Sequence, residues 1–383
     1  MTETPLSAEE VLRRAHAVGD YYGFVSFAAL ALAERDKRAN VPKQDPPQLS
    51  ALDKNAEIVA NFLRQCRDLG LFTVPRQPLF VWHSNIAPGR PAPKVAHIQF
   101  HAIGSDRALA DAVVIRAIRA LAHDLTKGEV TLRINTLGDK ETRARYMREL
   151  GNFFKKKGAT LPEDCLAVAR RDVFEAAELA LEKRYVEDLP APTEFLSDQS
   201  RKRFEDVLEY LETTDTPYEL SGTLLSRGGA WSETCFSFAT ADKTLAWGSR
   251  YGDLARAFFK SPMPSTGAVL SIETEGTKIS PLSAPKSRTK LQFAFVHIGE
   301  EAKRESLKIV EELRHARLPL WQIIGLESLT EQMLHVERLA PPYLIVMGRK
   351  EALERSVVLR NRTTQEDIVI PLPKLSERLR TFA

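Results

Sequence analysis

The residues of this chain best suited to chemistry are arginines in glycine-containing turns, lysines at a helix end and two evenly spaced histidines. Arg227-Gly-Gly229 and Trp247-Gly-Ser-Arg-Tyr251 are glycine-containing turns beside predicted strands. Glycine lets the backbone approach a ligand closely there, or simply a neighbouring strand. Lys155-Lys-Lys157 closes a predicted helix, where cations complement the helix dipole and could equally meet an RNA backbone. Arg360-Asn-Arg362 stands at a strand end, from which side chains can reach a ligand. His97 and His101 share one face of a predicted strand but lie about 13 Å apart, too far to share a metal. They read as surface or hydrogen-bonded core histidines, and no metal is expected. The chain contains no P-loop, GxGxxG, HExxH or GxSxG motif.

Two kinds of region must position these residues. In the first, Ser7-Ala-Glu-Glu10 looks like a capping box for a helix over 8–19, and 22–32 reads as a strand or a buried turn. Residues 38–49 read as a loop. Helical spacing returns over 55–69 and 109–125, residues 79–82 are a short apolar run before a proline-rich break over 88–93, and 95–103 and 130–135 alternate like strands. Residues 140–211 read as mostly helical and 218–273 as strand-rich. A linker over 276–290, rich in Pro, Ser and Lys, leads to the second region. There, strands at 291–298, 320–324 and 343–347 alternate with helices at 300–317 and 328–339. Short strands at 357–360 and 368–370 and a helix over 373–381 follow. A βαβαβ order of this kind implies a parallel or mixed sheet with right-handed crossovers.

Bulk properties set the limits. The 383 residues suffice for two or three cores, and 43% hydrophobic with 27% charged residues is ordinary for a soluble globular protein. The net charge of +3 is too small to announce nucleic acid, although local patches could bind RNA. Three separated cysteines, Cys66, Cys165 and Cys235, argue against a zinc site or a disulfide framework and suit a reducing compartment. No signal peptide or membrane span is evident, so a cytoplasmic protein is expected.

Ile103–Asp111 reads I-G-S-D-R-A-L-A-D, Thr131–Arg145 reads T-L-R-I-N-T-L-G-D-K-E-T-R-A-R, and Leu161-Pro-Glu-Asp-Cys165 follows. These ordered stretches resemble the histidyl-tRNA synthetases, class II aminoacyl-tRNA synthetases. Tyr218-Glu-Leu220, Arg227-Gly228 and Thr234-Cys-Phe236 are similar to the histidine-binding signature. Gly248–Leu254 is similar to the G-G-R-Y-D-x-L turn, and Tyr343–Gly348 and Val357–Asn361 to strands of the anticodon-binding domain. The resemblance runs from about Ile103 to the C-terminus. It implies an α/β (α+β) fold: a class II antiparallel sheet with flanking helices over 1–275, a helical insertion at about 150–215, the linker, and a C-terminal α/β anticodon-binding-like domain over 291–383. It also implies a homodimer.

The departures bear on activity. In this family a motif 2 arginine grips the α-phosphate of ATP and a motif 3 arginine the γ-phosphate, because charge develops on the phosphates during adenylation. Motif 2 should read F-R-x-E before a G-R loop; here Phe80–Ala87 has neither Arg nor Glu, and Gly89-Arg90 stands in the loop. Motif 3 should end in E-R; here it ends in Glu273-Thr274. R-G-L-D-Y-Y becomes Arg227-Gly-Gly-Ala-Trp231, and T-V-F-E becomes Thr234-Cys-Phe-Ser237.

Arg227 is the catalytic-type remnant. Arg90, Arg250 and Glu273 are the substrate-side candidates, with Lys94 a further substitute cation. Lys155, Lys156, Lys157, Arg360 and Arg362 are the RNA-side candidates. The resemblance with these losses implies a degenerate paralogue without cofactor, binding tRNA or another structured RNA, or a protein. One alternative is an active, divergent histidine–tRNA ligase using ATP and magnesium. The other is a regulatory subunit of the ATP phosphoribosyltransferase type, though such subunits generally lack the anticodon-binding domain. Pyrophosphate exchange separates the first two, and co-purification with a short phosphoribosyltransferase would favour the third.

Overall fold

Helix α1 (Ala8–Tyr21) starts where the side chain of Ser7 accepts the Glu10 N–H, and its apolar positions Val11, Leu12, Ala15 and Val18 recur at helical spacing on one buried face. The computed structural model describes residues 6–34, 53–71, 78–87, 94–126, 128–225, 230–275, 292–318, 320–322 and 328–382. The expected loop at 38–49, the break at 88–93 and the linker at 276–290 lie outside them.

After α1 come β1 (Val25–Ser26) and α2 (Phe27–Glu34). Of the strand or turn expected over 22–32, the turn at 22–23 and the short β1 are present, and from Phe27 onward helix α2 replaces it. Its sequence, Phe-Ala-Ala-Leu-Ala-Leu-Ala-Glu, is rich in the two best helix formers and has no β-branched residue. Helix α3 (Lys54–Asp68), capped by Asp53, leads to β2 (Leu79–Ala87), β3 (Lys94–Ile103) and α4 (Ala108–Leu125). Strand β2 outlasts its apolar run because His83, Ser84 and Asn85 continue the antiparallel ladder with Gln99, Ile98 and His97.

Next stand β4 (Thr131–Thr136), the helices α5 (Lys140–Lys157), α6 (Glu163–Arg171), α7 (Val173–Glu182) and α8 (Asp198–Thr213), and β5 (Glu219–Leu220). The region closes with β6 (Ser232–Ala239), β7 (Thr244–Arg250), α9 (Gly252–Phe259) and β8 (Ser265–Thr274). These strands form one sheet in the order β1-β2-β3-β8-β7-β6-β4-β5, antiparallel except for short parallel pairs at its two edges. One face packs against α1, α4 and α8. The other face carries α2, α3 and α9. Helices α5 to α7 enclose a further core around Tyr146, Phe154 and Phe174.

A second sheet follows. It contains β9 (Phe293–His297), β10 (Leu320–Gln322), β11 (Tyr343–Met347), β12 (Ser356–Asn361) and β13 (Asp367–Pro371), with helices α10 (Glu300–His315), α11 (Leu329–Leu339), α12 (Arg349–Leu353) and α13 (Leu375–Arg380). Its order is β10-β9-β11-β12-β13. The first three strands are parallel and the last two antiparallel, a mixed sheet. Helix α10 covers one face and α11 the other. Among the described residues no helix is long and apolar enough to cross a membrane.

Candidate substrate face of the large sheet

Register brings three strand ends together. Ala87 at the end of β2 lies opposite Val95, and Lys94 at the start of β3 lies opposite Thr274 at the end of β8. The sheet face between α3 and α9 leads away from these ends and is filled with rings. His101 stacks on Phe62 with centroids 4.1 Å apart and planes 4° off parallel. Phe27 from α2 meets Phe62 at 5.5 Å and His83 at 4.8 Å. Trp231 meets Trp247 at 4.4 Å and Tyr251 at 6.4 Å.

His101 can lie so close to the sheet because its register partner is Gly267; a Cβ there would come within 2.3 Å of Nδ1. Tyr251 Oη lies 2.8 Å from His101 Nδ1, and Gln99 Oε1 lies 3.1 Å from Nε2. Both bonds are satisfied if Tyr251 donates and Nε2 carries the proton, a tautomer assigned from the network. Burial pushes the pKa of His83 down to about 4. Burial, with His83 nearby, holds His101 well below the usual value. Both rings are therefore neutral at pH 7. His97 faces the same side, and its Nδ1 lies 2.8 Å from Ser271 Oγ.

Trp231 is the anchor of this packing. It is fully buried, its Nε1 donates to Asp53 Oδ2 at 2.7 Å, and its carbonyl accepts from Arg143 at 2.7 Å. Asp53 uses its other oxygen to cap α3 at the Ala56 N–H. One carboxylate thus fixes both a helix start and the indole.

Arg250 faces α4. Its Nε and Nη2 donate to Asp111 Oδ2 at 2.9 and 2.7 Å, and further donors reach the carbonyls of Ser105 and Arg107. Both side chains are almost wholly buried. Arg250→Met should therefore cost about 3–5 kcal/mol by stranding a buried carboxylate. A urea midpoint near that of the wild type would contradict this. Glu273 is exposed near the end of β8, next to buried Thr274. Arg90 and Arg227 lie outside the described residues, and only the backbone of Lys94 is described.

Beside Trp247 opens a cleft of about 930 Å³, lined by Glu178, Glu182, Glu187, Arg184, Leu225 and other residues. Three carboxylates against one guanidinium suit a phosphate chain poorly.

The RNA-side candidates fall in two separate places. Lys155, Lys156 and Lys157 are exposed in the last turn of α5. Arg360 makes a two-pronged pair with Asp367 at 2.7 Å, which raises its pKa. Arg362 pairs with Glu337 at 3.0 Å. Among the described residues no group of three or more His, Cys, Asp or Glu is arranged to hold a metal, and all three cysteines are buried thiols.

Residues 292–382 match the model of the anticodon binding domain. A histidine–tRNA ligase of Thermosipho melanesiensis is 29% identical over 283 residues, which cover 71% of this chain and 67% of the relative. One from a Geobacillus species is 27% identical over 295 residues, 74% of this chain and 70% of the relative. Apo histidyl-tRNA synthetase of S. aureus shares the fold, with a TM-score of 0.51 over 97% of this chain and 94% of that one, at 20% identity. This is a histidyl-tRNA synthetase-like class II protein.

The stretch compared above with motif 2 forms β2, and the stretch compared with motif 3 ends at the end of β8. The only ionisable side chain on β2 is His83, packed neutral among rings, and β8 has no lysine or arginine. The absence of lysine and arginine from both strands is visible in the sequence. Phe27, Phe62, Asp53 and Asp111 are not legible there as site residues, because they act through partners remote in sequence. The one available signal was glycine at 267, opposite a large ring.

Proposed function

We propose that this chain is a catalytically degenerate paralogue of histidyl-tRNA synthetase that binds a structured, tRNA-like RNA and does not activate an amino acid. The observation that carries this reading is the ring-filled face between α3 and α9, with no lysine or arginine on either strand that would present one to ATP. Adenylation needs fixed positive charge where phosphate charge develops. Neutral imidazoles packed among phenyl rings cannot supply it. ATP and magnesium have no role in this reading.

RNA binding is supported by the anticodon-binding domain match and by the three exposed lysines ending α5. The homodimer expected of the family belongs to the same proposal. Titrating the full chain with tRNA transcripts at several salt concentrations tests it. Binding should weaken with salt, with a slope of about −0.9 in log K against log salt for each phosphate neutralised on duplex RNA, by analogy with DNA. Replacing Lys155, Lys156 and Lys157 by alanine should make that slope shallower by up to about 3. Absence of RNA binding at low salt, with a protein partner co-purifying instead, would replace the RNA reading with a protein-binding one.

A further inference from the structure

The C-terminal unit meets the core through helix α10 and strand β10. Helix α10 buries Ala302, Ile309, Val310 and Leu313 against its own sheet. Its other side turns to α1, α4 and α8. Among the described residues Leu307 is the only member of the C-terminal unit in the apolar cluster on that face of the core. Polar contacts lie around it. Arg304 pairs with Glu209, Tyr210 Oη lies 3.5 Å from Glu300, and the Gln322 carbonyl sits over Gly23, where a Cβ would come within 2.6 Å of it. Polar contacts of this kind do not by themselves hold two units in one orientation.

Glu311 lies at the centre of this interface. Tyr22, 1% exposed, donates its hydroxyl to Oε2. Arg116, 4% exposed on α4, donates to the same oxygen at 3.0 Å and to the Leu307 carbonyl at 2.8 Å, with its guanidinium 5.6 Å from the Tyr22 ring centre. Arg314 donates twice to Oε1, at 3.0 and 2.8 Å, and His315 Nε2 lies 3.3 Å away. One carboxylate therefore joins α1, α4 and α10.

We infer that Glu311 is the pin of a latch that holds the anticodon-binding unit in a single orientation on the core. Two features mark it as a latch and not as ordinary packing. Burial pushes the Glu311 pKa up, yet Arg116 and Arg314 with the Tyr22 hydrogen bond hold it below the usual value, so the carboxylate is charged and the cations depend on it. Arg116 Nη1 is buried with no hydrogen-bond partner among the described residues, so the closed position leaves one donor unsatisfied. Without the Glu311 charge, two guanidiniums would be held together in a low-dielectric site, and opening the interface would return them to water.

The inference does not rest on the RNA reading. It is tested on the full chain carrying nitroxide labels at Arg13→Cys on α1 and Leu353→Cys on α12, both exposed positions. The distance distribution between labels should be single and narrow in the otherwise native chain. It should become roughly twofold broader in Glu311→Gln, as expected for units freed across a polar interface. Tyr22→Phe, which removes one hydroxyl and no bulk, should broaden it less. Hydrogen exchange in β9 and β11 should stay at the native rate in both variants. An unchanged distribution in Glu311→Gln overturns the inference. So does exchange in β9 and β11 that accelerates along with the broadening, since Glu311 would then support the C-terminal core itself.

Discussion

Replacing Trp231 by alanine should destabilise the core by about 3–5 kcal/mol, the usual cost of removing a large buried aromatic. The indole is 1% exposed and touches two other aromatic rings, so its loss leaves a void that Trp247 and Tyr251 cannot close without leaving their own contacts. It also strands Asp53 Oδ2, which accepts the indole N–H. Asp53 caps α3 with its other oxygen, so the damage should extend to the start of that helix and to Phe62 behind it. Urea unfolding followed by far-UV dichroism checks this. A loss below about 1 kcal/mol would mean the site relaxes freely and the face is not packed as described. Opening the face should not confer activation of histidine, because the void brings no cation to β2 or β8.

The second large effect is on pH dependence. Burial holds His83 at about 4 and His101 well below its usual value. In the C-terminal unit, burial and Lys303 hold His297 at about 4, partly offset by Glu300. A histidine whose folded pKa is depressed stays neutral in the folded chain while the unfolded chain takes up a proton near 6.5. Its contribution is therefore fully present above about pH 6.5 and is lost as the pH falls toward the folded value. Each such group removes up to about 1.4 kcal/mol per pH unit in that window. Glu233, whose pKa burial raises, works in the opposite direction and offsets part of the loss. Between pH 6.5 and 5, His83 and His297 alone should lower stability by about 3 kcal/mol, seen as a drop in urea midpoint. His83→Phe should flatten this profile by about 1.5 kcal/mol over the same interval. A midpoint independent of pH across that range would show that these rings are solvated.

Much of the fold was legible because the periodic signals were long. Helices α1, α3, α4 and α10 and strands β3, β4, β9 and β11 stand within a few residues of where apolar spacing puts them. Helix α2 was not legible, because its residues are almost all apolar and show no period to set helix against strand. The site divides in the same way. The absence of arginine from β2 and from the end of β8 can be read in two short stretches of sequence. What fills the space cannot, since Trp231 and Asp53 are 178 positions apart and Arg250 and Asp111 are 139 apart. Arg250 shows the limit clearly. Its place in a glycine turn similar to the family's G-G-R-Y made it a substrate-side candidate, and only the structure turns its guanidinium to α4.

ATP–pyrophosphate exchange measures amino-acid activation alone, without need of the right RNA, and so tests directly whether this synthetase-like sheet is inactive as proposed. With histidine, and with each other amino acid in turn, the purified full chain should give no exchange above a protein-free blank. Histidine-dependent exchange at a rate on the order of 1 per second or faster, ordinary for an enzyme, would contradict the claim. It would mean that cations outside β2 and β8 reach the phosphates.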